Sequence, residues 1–149
     1  LNNGLIFMIT MLIDKQHIKT YIPQREPFIM IDGLFTANNE VFKSTFLIQE
    51  DNLFLKDGKL SESALVENIA QTCAAGFGYL GSLNDSGEAR LGFIGAISKL
   101  EVFADSAVQD QITTTVTILN SFENIHLIEG VAVCNGIDLI KCQMKIVQA

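Results

Sequence analysis

Ser61-Glu62-Ser63-Ala64-Leu65-Val66-Glu67-Asn68-Ile69-Ala70-Gln71-Thr72-Cys73-Ala74-Ala75-Gly76-Phe77-Gly78-Tyr79-Leu80 is the stretch that decides the fold. Residues four apart are neighbours on a helix surface, so its rows can be read directly. Leu65, Ile69, Cys73 and Phe77 form one row, and Val66, Ala70, Ala74 and Gly78 the next. Asn68, Thr72, Gly76 and Leu80 make a third, and Glu67, Gln71, Ala75 and Tyr79 the last. Apolar or small side chains cover most of the circumference, which predicts a helix buried on nearly all sides. Past its first turn this helix carries a single carboxylate, Glu67. A carboxylate in such a setting is costly unless it is hydrogen-bonded or has a job, so Glu67 is the first candidate for chemistry.

Outward from the helix, the rest of the chain reads as strand. Ser61 is placed to cap the helix, and Asn84-Asp85-Ser86-Gly87 to stop it. On the N-terminal side, residues 28–37 and 40–49 read as two strands joined at Asn38-Asn39, and residues 50–59 as an irregular loop. Pro23 and Pro27, the only prolines, bracket a rigid crossing, and residues 14–22 before it read as a short helix capped by Asp14. Beyond the helix, residues 91–104, 111–122 and 126–134 read as strands, the third ending in the hairpin signal Asn135-Gly136. In the last strand Ile140, Cys142, Met144 and Ile146 alternate with Lys141, Gln143 and Lys145. The predicted class is α+β: one antiparallel six-stranded sheet wrapped around one long central helix. Such a sheet leaves an edge open, so a homodimer is expected.

The 149 residues fit one domain with a substantial core, and with 48% hydrophobic and 18% charged residues the chain is globular. A formal net charge of −7 without any Lys/Arg stripe argues against nucleic acid as a partner. Cys73, Cys134 and Cys142 are odd in number and set in apolar runs, which predicts reduced core thiols in a cytoplasmic protein. With only His17 and His126 for histidines, no metal site is expected. Leu5 to Ile13 is apolar but too short to span a bilayer, and no basic residue precedes it. Residues 1–13 are read as an N-terminal extension, with Met11 the expected natural start.

By three sets of residues, Ile22 to Asp32, Glu67 to Gln71 and Gly95 to Lys99 with Asp110, the chain resembles the hotdog-fold 3-hydroxyacyl-acyl carrier protein dehydratases of fatty acid synthesis, over residues 14–147. Ile22-Pro23-Gln24-Arg25-Glu26-Pro27-Phe28-Ile29-Met30-Ile31-Asp32 is similar to the family's Leu-Pro-His-Arg-x-Pro-Phe-Leu-Leu-Val-Asp. Glu67-Asn68-Ile69-Ala70-Gln71 matches its Glu-Ala-x-Ala-Gln, and Gly95-Ala96-Ile97-Ser98-Lys99 followed by Asp110 its Gly-Ile-x-Lys strand and later turn. The spacing Asp51-Asn52-x-Phe54, Gly58-x-Leu60, Glu67 looks closer to the branch found in aryl polyene and flexirubin-type pathways. There, dehydratase-like subunits can work as partners of a second hotdog protein.

The resemblance implies a hotdog domain at residues 14–149, a role in lipid metabolism and a 3-hydroxyacyl thioester on acyl carrier protein or coenzyme A. It implies no cofactor, no membrane, and a homodimer or a heteromer with a related hotdog subunit. It makes Glu67 the catalytic acid/base and places Gln71, Asn52, Leu53, Phe54 and Gly95 at the substrate. In the family a histidine fourteen residues before the helix glutamate completes the pair across the dimer interface. Here that position is Leu53, and the family's other histidine position is Gln24. Leucine carries no proton, so enzymatic competence of the isolated chain stays open.

Plainer readings stand beside these. Glu67 is otherwise a buried carboxylate satisfied by Gln71, and Gln71 a side chain that satisfies a backbone group. Asp51 and Asn52 read more simply as turn residues. His17 and His126 read as surface or packing residues, and Arg25 as the partner of Glu26 or Asp32 ahead of a phosphopantetheine contact. Three functions follow: a dehydratase, a non-catalytic acyl-binding subunit that needs a histidine-bearing partner, and an acyl thioesterase that uses Glu67 to activate water.

Overall fold

The computed structural model describes residues 10–84 and 92–149. Strands β1 (Gly33–Ala37) and β2 (Val41–Leu47) form a hairpin, followed by a two-residue pair β3 (Leu55–Lys56) and β4 (Lys59–Leu60). Helix α1 (Glu62–Asn84) comes next, then β5 (Gly92–Val102), β6 (Gln111–Phe122), β7 (Ile125–Cys134) and β8 (Ile137–Gln148). The main sheet has six antiparallel strands in the order β1-β2-β6-β7-β8-β5, and α1 lies across its concave face. This is the hotdog architecture expected from the sequence.

Alternation places the core. Ile112, Thr114 and Val116 of β6 and Ile140, Cys142, Met144 and Ile146 of β8 are buried under the helix, while Gln111, Thr113, Lys141 and Lys145 are not. Ile69 and Cys73 of α1 meet this face from above. Two glycines let helix and sheet close. A β-carbon at Gly76 would fall inside the Phe42 ring, and one at Gly130 on β7 would strike the Ile69 side chain. The helix buries Asn68, Gln71 and Thr72 as well as its apolar residues. Each has partners: Thr72 Oγ1 bonds Ser44 Oγ at 2.7 Å, and Thr114 Oγ1 donates to Asn68 Oδ1.

Several expectations change. The expected strand at 28–37 begins only at Gly33, because helix side chains take the backbone bonds that a neighbouring strand would. The Met30 N–H donates to Gln71 Oε1 at 2.7 Å, the Met30 carbonyl accepts from Asn68 Nδ2 at 2.6 Å, and the Phe28 carbonyl from Gln71 Nε2 at 2.9 Å. The expected helix at 14–22 is only a 3-10 turn, Ile18–Thr20, preceded by a turn that Asp14 Oδ1 caps by accepting the His17 N–H at 3.1 Å. Residues 50–59 are not wholly irregular, since they contain β3 and the first residue of β4. Ser61 precedes the helix as expected, but its buried hydroxyl finds no hydrogen-bond partner among the described residues. Residues 85–87 of the expected helix stop lie outside the described residues.

All three cysteines are free and buried. Burial pushes the Cys142 thiol up to about 11 and that of Cys73 higher still, so both are protonated core groups. Arg25, expected to pair with Glu26 or Asp32, instead donates to the carbonyls of Ile22 (2.9 Å) and Gln24 (2.7 Å), which pins the crossing between the prolines. Glu26 pairs with Lys19 at 2.7 Å. No helix among the described residues is long and apolar enough to cross a membrane.

Candidate functional site

One face of α1 does not reach the sheet centre. Glu67, Ala70, Ala74 and Phe77, spaced three and four apart, form one wall of a groove of about 240 Å³. Pro23 and Gln24 close it near Glu67, and Gly92, Phe93 and Ile94 of β5 with Ile146 and Gln148 of β8 form the opposite wall. Phe77 lies ten residues beyond Glu67, so the groove follows the helix for about 15 Å. Gln148, paired with Gly92, stands at the Phe77 end, because its side chain bonds His126, whose ring packs on Phe77. The lining is mostly apolar, with carboxamides and one carboxylate at its ends.

At the near end, Glu67 Oε1 accepts from Gln71 Nε2 at 3.0 Å and from Gln24 Nε2 at 3.4 Å. Gln71 is itself immobile, clamped between the Phe28 carbonyl and the Met30 N–H. The carboxylate is therefore held through one oxygen by a side chain fixed to the backbone. Its other oxygen makes no hydrogen bond among the described residues. Such a group can accept or deliver a proton at an atom lodged beside it. Gln24 Oε1 is buried without a partner, an acceptor left unsatisfied next to the carboxylate.

The remaining expected substrate residues are placed elsewhere in this chain. Gln71 touches Glu67 but is fully buried and does not line the groove. Asn52 is a turn residue whose Oδ1 accepts the Phe54 N–H at 2.9 Å, and it lines a second cavity of about 410 Å³ with Lys15, Asp32 and Phe46. Phe54 packs against the core, while Leu53 is 55% exposed and points away from it. Gly95 sits on β5, outside the groove lining. The chain thus brings Glu67, Gln71 and Gln24 together, and leaves the loop carrying Leu53 on the surface.

The sequence reading singled out Gln24 only as a departure from a motif, and missed Phe77 and Gln148 as groove residues. A motif position was the available signal for the first. Nothing short of strand register could have given the last. Among the described residues, no three His, Cys, Asp or Glu side chains are grouped so as to hold a metal ion.

No curated protein matches the sequence. Among solved structures, the chain is similar to the dehydratase heterocomplex ApeI:P from Xenorhabdus doucetiae, with a TM-score of 0.76 at 17% identity over 89% of this chain and 90% of that one. A hypothetical thioesterase with coenzyme A from Streptococcus pneumoniae follows at a TM-score of 0.64 and 10% identity, covering 78% and 84%. A sigma28-regulated virulence protein from Campylobacter jejuni has a TM-score of 0.60 at 10% identity, covering 85% and 81%. At these identities the likeness establishes the shared fold. The ApeP-like family, described as ApeP dehydratase, matches residues 16–149, nearly the whole chain. This bears out the resemblance to hotdog dehydratases and their aryl polyene branch, and the chain belongs to the ApeP-like dehydratase family.

Proposed function

We propose that this chain binds 3-hydroxyacyl thioesters, carried by acyl carrier protein or coenzyme A, in the α1 groove with the reacting carbons beside Glu67. The observation that carries this reading is Glu67 itself, held by Gln71 and Gln24 at one end of an apolar groove about 15 Å long. Eliminating water from such a substrate requires one group to take a proton at C2 and another to protonate the departing hydroxyl. Glu67 supplies one of these. Gln24, the other polar side chain lining that end of the groove, is a carboxamide and does not act as an acid or a base.

The second group comes, on this reading, from a related hotdog subunit paired at β5. Every residue of β5 is exposed, and Gly92, Phe93 and Ile94 are at once strand edge and groove wall. A subunit seated there closes the groove and faces Glu67. In a symmetric dimer the loop available for that role would bring Leu53, which favours a heteromer. The dehydratase heterocomplex among the similar structures accords with it.

The test is to titrate the purified chain with 3-hydroxyacyl thioesters and follow both enoyl formation and free thiol. The expected result is binding without turnover, with turnover appearing when a histidine-bearing hotdog subunit is added and lost in Glu67→Gln. Full turnover by the chain alone would refute the need for a partner. Release of thiol would assign it as a thioesterase, and absence of binding at every chain length would remove the acyl groove.

A further inference from the structure

The Phe77 end of the groove holds a set of groups that neither proton transfer nor the core requires. Gln148 lines the groove there. Its backbone is pinned on both sides: its N–H donates to the Asn124 carbonyl at 2.8 Å, and its own carbonyl accepts from Asn124 Nδ2 at 2.7 Å. Its side chain is held as well, with His126 Nε2 2.9 Å from Gln148 Oε1. The other imidazole nitrogen, Nδ1, lies 2.7 Å from Ser121 Oγ, and Ser121 is the cross-strand partner of His126. The imidazole stacks on the Phe77 ring with centroids 4.4 Å apart and planes at 31°.

The chemistry of the relay fixes its direction. An amide oxygen only accepts, so Nε2 carries a proton, and in the neutral imidazole Nδ1 accepts and the Ser121 hydroxyl donates. With Oε1 held by His126, Gln148 has both N–H groups of its Nε2 amide to offer as donors. A glutamine immobilised in this way has lost side-chain freedom. The end of a plain alkyl chain would cover its N–H without replacing water.

Resting on the acyl-groove reading, we propose that this end is a tail-recognition subsite. In it Gln148, oriented by His126 and Ser121, donates a hydrogen bond to an acceptor atom at the far end of the acyl chain. The groove then measures its ligand twice, by the carbons beside Glu67 and by an acceptor about 15 Å away beside Phe77.

The experiment titrates the 149-residue chain with paired pantetheine thioesters of equal acyl length, one ending in a methyl group and one in a methyl ether, over a series of lengths. The wild-type chain is expected to bind the ether about tenfold more tightly at the length that spans the groove, and less selectively at shorter lengths. Gln148→Leu should abolish or reverse the preference, and Gln148→Glu, which cannot donate, should do the same without loss of polarity. His126→Phe keeps an aromatic ring over Phe77 and should leave a weakened preference. Equal binding of both ligands at every length, or the same preference in Gln148→Leu and Gln148→Glu as in wild type, overturns the subsite while leaving the acyl groove standing. If neither ligand binds at any length, the groove reading and the subsite fall together.

Discussion

At the residue scale, Gln71 shows how an ordinary side chain positions a site. The plainer sequence reading has it satisfy Glu67 and a backbone group, and the fold gives it both tasks. Its amide closes on the Phe28 carbonyl, the Met30 N–H and Glu67 at once. Gln71→Leu should therefore leave the buried Met30 N–H unpaired at about 1–3 kcal/mol and the part-buried Phe28 carbonyl at about 1 kcal/mol, for a loss of roughly 2–4 kcal/mol in urea unfolding. A loss well under about 1 kcal/mol would mean that the Phe28–Met30 segment does not depend on this clamp. Asp32 makes the second residue-scale prediction. Burial raises its carboxyl above the ordinary value, outweighing the Leu47 N–H and Lys15, both of which lower it. The ionised form is thus penalised in the folded chain. Its contribution is most favourable below the unfolded value near 3.8 and is lost as pH rises through the raised folded value. Asp32→Asn keeps an acceptor for the Leu47 N–H, 2.7 Å away, and cannot ionise. Stability of wild type relative to this variant should fall across that window and stay level above it, which paired unfolding curves would reveal; a relative rise would contradict the sign. Glu67 was legible because a lone carboxylate on an apolar helix has few explanations. His126 and Gln148 were not, because their meeting depends on a β7–β8 register that spacing alone does not fix.

At the element scale, the four rows of Ser61–Leu80 located α1 within a few residues at its C-terminal end. β6 began and ended where the threonine-rich alternation placed it. The first strand was misread because an apolar run says that a segment is buried but not what takes its hydrogen bonds. Here Asn68 and Gln71 took them from above. The small residues of α1 have a testable role in this packing. They let strands approach, as Gly76 does over Phe42. Gly76→Ala improves helix propensity yet drives a methyl into the Phe42 ring. Overpacking should win, at about 1–3 kcal/mol against a gain of about 1 kcal/mol, for a net loss. The same substitution in a Phe42→Leu background should cost less, and a double-mutant cycle would measure the difference. Equal costs in both backgrounds would show that the two residues are not coupled.

At the scale of the whole molecule, the two edges of the sheet are treated differently. The chain covers the β1 edge itself: Leu34 bridges Ile13, with the Ile13 N–H donating to the Leu34 carbonyl at 3.0 Å and the Leu34 N–H returning at 2.9 Å. The β5 edge pairs with no strand among the described residues, although β5 is eleven residues long. Its side chains are exposed too. Ile94 and Ile97 lie in register with the buried Ile146 and Met144, which sets them on the concave face, yet they remain 40% and 44% exposed because α1 does not extend over them. A long apolar edge beside an uncovered strip of sheet is a template for pairing with another chain. The bulges at Ile94/Ala96 and Ser98/Glu101 twist the strand without covering it. Another hotdog subunit meets both needs, since its own edge strand extends the sheet while its helix covers the strip. Ile97→Lys tests this, because a charge there costs the single chain little at a half-exposed position but opposes burial against a partner. The expected outcome in sedimentation at rising concentration, alone or with a hotdog partner, is association by wild type and a shift toward monomer in Ile97→Lys, with unfolding midpoints close together. Unchanged association in the variant would place the interface on another surface, and the second proton-transfer group would then not reach Glu67 across β5.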